Sequence, residues 1–282
     1  MTVETSPEDW KRKAGSYKDM TSTLNVKPIG IMLERLNGLL PFSEATGILD
    51  NGCGPAPIMA RIIDEHGDSL PQTCTLICSD FSNGMVEQAN NTKRNALEQQ
   101  RDSPWTHVRI ETLDVMDLLS IEDNSLSHVA AGWVFFNAKD PQKALAESKR
   151  VLQPGGVLAA SSWAETDWLR ILKVVSKLDP AVQPPSIGED WGTSSGVKAQ
   201  LEKAEFRNVE VHQVHVDIPF KSHASFVETM LTRVTQMVVA SRALPSGSHD
   251  ELRGLMIEEM KLICPREPGV LRGTSLVGFG IK

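Results

Sequence analysis

The chain has 282 residues, 40% of them hydrophobic and 23% charged, enough for one elaborated α/β domain or at most two domains. Its 29 basic and 36 acidic residues give a net charge of −7, which offers no basic footprint for nucleic acid. No apolar run approaches the roughly 20 residues a membrane-crossing helix needs, and the polar, acidic start Met1-Thr2-Val3-Glu4-Thr5 does not read as a secretory signal. Four cysteines (Cys53, Cys74, Cys78 and Cys264) make no disulfide framework in a chain this size. Cys74 and Cys78 have no histidine in their segment to complete a metal set. The expectation is a reduced, cytoplasmic protein with no metal and with neither nucleic acid nor membrane as a partner.

Residues 1–40 are helical in tendency. Trp10, Tyr17, Ile29, Met32 and Leu36 fall at helix-face spacing, and Pro28 is expected to divide the segment. From Thr46 strands and helices alternate. Strands are predicted at 46–50, 74–79, 107–112, 127–134 and 156–163, and helices at 57–66, 84–99 and 139–152. That interval argues for parallel βαβ units in an open sheet. A helix at 168–178, a Pro- and Gly-rich loop at 180–196, a short helix at 196–204 and a strand at 206–216 follow. The long stretch 219–272 is helix-like, with Phe226, Met230, Val234, Met237 and Val238 on one face, and 274–282 reads as a last strand.

The chemistry concentrates in Gly47-Ile48-Leu49-Asp50-Asn51-Gly52-Cys53-Gly54-Pro55-Ala56-Pro57, a strand, a glycine turn and a helix start. Glycines at 52 and 54 let the backbone approach a ligand. Position 57 is proline, so the dinucleotide fingerprint, which needs a third glycine there, is incomplete. The acid instead precedes the glycines, as D-x-G-x-G, and Asp50 is placed to meet a cationic amine directly or through water. Asp80 ends the second strand, Asp114 follows the third, and Leu152-Gln153-Pro154-Gly155-Gly156 feeds the fifth.

In this order the motifs over 46–163 resemble class I S-adenosylmethionine-dependent methyltransferases of the methyltransferase-domain-11 type. Leu49-Asp50-Asn51, Ser79-Asp80-Phe81-Ser82 and Ala160-Ser161-Ser162-Trp163 ahead of Trp168 are similar to fungal natural-product enzymes of the gliotoxin bis-thiomethyltransferase kind. The resemblance implies an α/β fold: a Rossmann-like, seven-stranded, mostly parallel sheet with helices on both faces and a helical lid. It implies an N-terminal helical lid segment (1–40), an S-adenosylmethionine-binding core (41–218), a helical lid insertion (219–272) and a terminal core strand (273–282). The cofactor residues it implies are Asp50, Gly52, Cys53, Gly54, Asp80, Phe81, Met85, Asp114, Val115 and Trp133. Asp80 would take both ribose hydroxyls, or serve only as an N-terminal partner of the next helix.

The expected acceptor is a small molecule, a secondary metabolite with an oxygen or sulfur nucleophile. Nitrogen transfer and a non-catalytic regulatory role on the same fold are the alternatives. Trp10, Tyr17, Asn137, Trp163 and Trp168 are the acceptor-binding candidates, suited to a planar or cationic molecule. For a base, only His223 and, as an orienting group, Asn137 stand near the expected pocket mouth. A monomer is expected.

Overall fold

The computed structural model describes residues 5–11, 24–245 and 247–282. Gly47–Asn51 (β1), Thr75–Asp80 (β2), Val108–Thr112 (β3), Leu126–Gly132 (β4) and Leu152–Trp163 (β5) are parallel neighbours in the order β3-β2-β1-β4-β5. Arg207–Phe220 (β6) and Gly269–Ile281 (β7) complete a seven-stranded sheet. β7 lies antiparallel between β5 and the edge strand β6. The fold is the expected Rossmann-like α/β sheet. Strand order reverses between β1 and β4, so a crevice opens beyond the carboxyl ends of these two strands.

The two-residue period of a strand sorts the core into two layers. Ile48, Cys78 and Ala159 face one layer, built on Val26–Leu39 (α1), Pro57–His66 (α2) and Asn83–Gln99 (α3). Leu49, Ile77 and Leu158 face the other, which holds Pro141–Val151 (α4) and Ser194–Lys203 (α8). The chain between α4 and α8 adds β5, Asp167–Leu172 (α5), Val175–Leu178 (α6) and Glu189–Gly192 (α7). A helix expected over 168–178 is therefore two shorter ones.

The lid expected over 1–40 is corrected in its second half. α1 buries Ile29, Met32, Leu33 and Leu36 against the sheet, each side chain worth about 1.5–3 kcal/mol of transfer free energy. It is a core helix. Pro28 does not divide it but sits in its first turn, where a missing N–H costs nothing.

Between β6 and β7 lie His223–Arg233 (α9), Thr235–Arg242 (α10) and His249–Ile263 (α11). Met230, Met237, Leu252, Met256 and Met260 form a third apolar cluster with Ile171 and Leu172 of α5 and with Val216, Phe220 and Leu271. Phe220 and Leu271 lie where β6 and β7 run further toward the insertion than the 216 and 274 limits read from sequence. Pro219 lies within that extension. It pairs with Val270 on an edge strand, where an absent N–H faces away from the sheet. Among the described residues no helix is long and apolar enough to cross a membrane.

Candidate active site

Asp50 shares the α2 side of β1 with Ile48. Its Oδ2 accepts the N–H of Met59 in the first turn of α2 at 3.1 Å. It thereby caps a helix whose N-cap residue, Ala56, has no side-chain acceptor. Oδ1 is buried with no partner. Burial, opposed by the Met59 N–H and reinforced by the charge of Asp80, pushes this acid from 3.8 up to about 7. Asn51, one residue on, faces the other layer. It accepts from Ser79 Oγ at 3.2 Å and donates to Ser148 Oγ at 3.3 Å, fastening β1 to β2 and α4.

The two glycines of the loop do different jobs. Gly52 has φ 71°, and a Cβ there would stand 2.5 Å from Val134 Cγ2. Gly54 has φ 54°, but a Cβ there would meet nothing within 4 Å. Gly52 is fixed by packing, whereas Gly54 borders open space. Between them, the Cys53 N–H donates to the Ser79 carbonyl at 2.7 Å. Its thiol is turned inward, and the Cys78 thiol beside it, together with burial, holds it well above the ordinary thiol range.

Asp80 ties the first loop to the second. Its Oδ2 accepts the Gly54 N–H and its Oδ1 the Ser82 N–H, both at 2.9 Å. Burial raises its pKa, and these two N–H donors oppose the rise. A carboxylate with one N–H on each oxygen retains lone pairs for hydroxyl donors. Phe81 is exposed and Met85 buried. Asp114 is exposed and accepts the Met116 N–H at 2.8 Å, while Val115 behind it is buried.

Residues 5–11, part of the N-terminal segment expected as a lid, form a strap across this loop. Ser82 Oγ donates to the Pro7 carbonyl at 3.1 Å, and Arg242 of α10 meets Asp9 at 3.1 Å. Gly84 is required by the same contact, since a Cβ there would stand 2.6 Å from Lys11 Cα.

Beyond the β4 and β5 ends lies a cavity of about 430 Å³, roofed by α9. Trp10, Trp133, Trp163 and Trp168 all line it, as does Asn137. Tyr17 lies outside the described residues. Trp133 stacks on Trp163 at 5.2 Å and 20°, and Trp168 meets Trp163 edge-on at 5.3 Å. The Trp133 backbone is left-handed at φ 58°, an unfavourable state for a bulky residue. Ser161 Oγ holds its N–H at 3.0 Å, and Asn137 Nδ2 donates to its carbonyl at 3.0 Å. Its indole Nε1 is buried without a partner. Asn137 thus positions Trp133, and its own carbonyl oxygen is uncommitted. Leu24, Asn25, Thr229, Arg233 and Lys221 also line the cavity and went unrecognised, although the apolar face of 219–272 did supply Phe226 and Met230.

His223 is not at this cavity. It is buried at the start of α9, with Nδ1 2.8 Å from Glu267 and Nε2 2.8 Å from the Cys264 carbonyl. Both of its ring nitrogens are engaged by these partners, and neither points into the cavity. It clamps the two ends of the insertion together, which corrects its candidacy as a base.

A D-x-G-x-G loop at the strand-order reversal, with a second acid ending β2, defines a class I methyltransferase fold with a site for a nucleoside-bearing methyl donor. The comparisons agree. A methyltransferase-domain family model matches residues 49–160. The chain is 42% identical to the methyltransferase ucsB of an Acremonium species, over 98% of this chain and 95% of that one. It is 25% identical to the acetylaranotin bis-thiomethyltransferase of Aspergillus terreus, over 78% and 76% of the two chains. In fold it is similar to the Bacillus subtilis YcgJ protein, with TM-score 0.57 and 16% identity over 90% of this chain and 97% of that one. The chain belongs to the S-adenosylmethionine-dependent methyltransferases, and its cofactor is S-adenosylmethionine.

Proposed function

We propose that this enzyme methylates an oxygen or sulfur nucleophile of a small secondary metabolite held in the tryptophan-lined cavity. The observation that carries the reading is Trp133. It follows β4, whose Ala130 pairs with Asp50, and it forms one wall of the cavity. The residues present fit the cofactor. The orphaned Asp50 Oδ1 suits an ammonium group, which would return the acid to its ionised form. The open space at Gly54 admits a ligand against backbone. Asp80 would take the ribose hydroxyls, and Asp114 with Val115 would border the adenine.

When bound, S-adenosylmethionine supplies a sulfonium methyl group as the electrophile. The chain supplies position and dryness. The tryptophan walls exclude water, and the uncommitted oxygen of Asn137 accepts a hydrogen bond from the acceptor. Segment 5–11 and helices α9–α11 act as the lid, joined to each other through Asp9 and Arg242.

The test begins with calorimetry of S-adenosylhomocysteine, with NADH as control. Micromolar binding of the first alone is expected. Transfer of labelled methyl to a panel of phenols, thiols and amines then sorts the nucleophile. Turnover of amines alone would overturn the assignment to oxygen or sulfur.

A further inference from the structure

The cavity wall is unusual in what it omits. In a chain of net charge −7, none of its described lining residues is Asp, Glu, His, Cys or Tyr. The wall offers aromatic and aliphatic surface, a few neutral polar groups, and two cations, Lys221 and Arg233. These stand just before the start of α9 and at its last residue, and that helix runs roughly 16 Å along the roof. Among the described residues neither cation has an ion-pair or hydrogen-bond partner. A cation in a last turn also suits the helix dipole, but that does not account for Lys221 or for the missing acids. Arg233 pairs with none of the six acids on α9, α10, α11 and the loop before β7, although its neighbours Arg242 and Arg253 are paired.

From this composition we infer that the acceptor is a flat, largely apolar organic anion that enters already ionised, an acidic enol, phenol, thiol or carboxyl compound. The inference rests on the methyltransferase reading and deepens it. Two requirements converge. The described wall residues include no base to remove a proton, so the nucleophile must arrive with its electron pair free. Their two unpaired cations, with no carboxylate among them, favour a negative guest over a neutral or cationic one. The reaction then balances without a proton. The anion's pair forms the new bond to carbon, the carbon–sulfur bond returns its pair to sulfur, and the two charges cancel. Charge that disappears during reaction is favoured by a dry, apolar surround, which the indoles provide. The Asn137 oxygen is an acceptor and would reach a separate N–H or O–H of the same molecule.

Two probes with the same ring skeleton test the charge: 8-anilino-1-naphthalenesulfonate and the uncharged N-phenyl-1-naphthylamine. Each is titrated against the enzyme loaded with S-adenosylhomocysteine. The anion should bind at least about tenfold more tightly, and the double variant Lys221→Gln/Arg233→Gln should remove that preference while the neutral probe binds as before. Thr229→Trp, which fills the cavity without altering charge, should expel both probes. Equal affinities, a preference that survives the double variant, binding that survives Thr229→Trp, or no binding of either probe would each overturn the inference. Failure of S-adenosylhomocysteine itself to bind would instead strike the methyltransferase site. With S-adenosylmethionine kept saturating at every pH, so that the Asp50 limb does not enter, the acid limb of kcat/KM for any acceptor series that turns over should follow the acceptor's own pKa. A limb fixed across the series would reveal a base in the protein and overturn the ionised-entry step.

Discussion

The two halves of the proposed active site, one for the cofactor and one for the acceptor, are built in opposite ways. The cofactor half uses buried polar groups and backbone. Asp50, Gly54 and Asp80 lie within 31 residues of one another, and two N–H donors join Asp80 to both loops. The acceptor half uses apolar side chains drawn from Trp10 to Gln236. A site for an invariant ligand can be specified by a short motif, because the same atoms must always be met. A site for a variable ligand is assembled from distant elements, so its chemistry changes without disturbing the motif.

The sharpest test of this contrast is Asp80→Ala. It removes the acceptor for two loop N–H groups along with the proposed ribose contact, and S-adenosylhomocysteine affinity should fall by about 100-fold or more. Calorimetry checks it, and a smaller loss would mean that the acid is only structural. Asp50→Asn should weaken the same affinity about tenfold at pH 8. The wild type should lose affinity as pH falls through about 7, where Asp50 protonates, and the variant should show no such limb.

The variant's stability should move the other way. The folded acid, at about 7 rather than 3.8, holds its proton through that window while the unfolded acid does not. Wild-type stability therefore falls as pH rises from about 4 to 7, and above 7 Asp50→Asn should melt higher by several degrees, a gain on the order of a few kcal/mol. Equal melting temperatures at pH 8 would refute the buried cost.

The glycines separate packing from binding. Gly52→Ala should lower Tm by several degrees, because strain of about 1–2 kcal/mol adds to the Val134 clash. Gly54→Ala should cost less stability but more cofactor affinity. If both lose stability alike with affinity unchanged, Gly54 does not face the ligand.

Gly84→Ala probes the strap. Helix propensity should improve by up to about 1 kcal/mol, yet Lys11 must move. Tryptic cleavage after Lys11 should become several-fold faster with Tm nearly unchanged. The smallest effect belongs to Glu267→Gln. The Glu267 side chain is half-exposed, so Tm should drop only about 2 °C. The pH profile of kcat should not shift, whereas a shifted limb would restore His223 to the chemistry.

Particular residues show how far the sequence could be read. Asp50, the loop glycines and Asp80 were legible because strand and glycine signals frame them, although Val134, which fixes Gly52, lies far along the chain. α2 was placed at 57–66 from Pro57 and its apolar spacing, as found. Pro28, expected to break a helix, and Pro219, inside the longer β6, share one lesson. A proline's meaning depends on whether its missing N–H had a partner, and that is settled by a helix's first turn in one case and by an edge strand in the other. His223 looked available as a base because neither Glu267 nor the Cys264 carbonyl is near it in sequence, at separations of 44 and 41 residues.

By itself, then, the sequence determined the alternating layers, the glycine loop after β1 and the acids Asp50 and Asp80 at their strand ends, since each follows from periodicity or from a short local motif. The tertiary structure alone decided that α1 is core rather than lid, that four tryptophans share one cavity, and that Lys221 and Arg233 face it without an acid. Those facts depend on how segments up to 226 residues apart pack (Trp10 to Gln236), and no local pattern encodes which side chain will meet which across that distance.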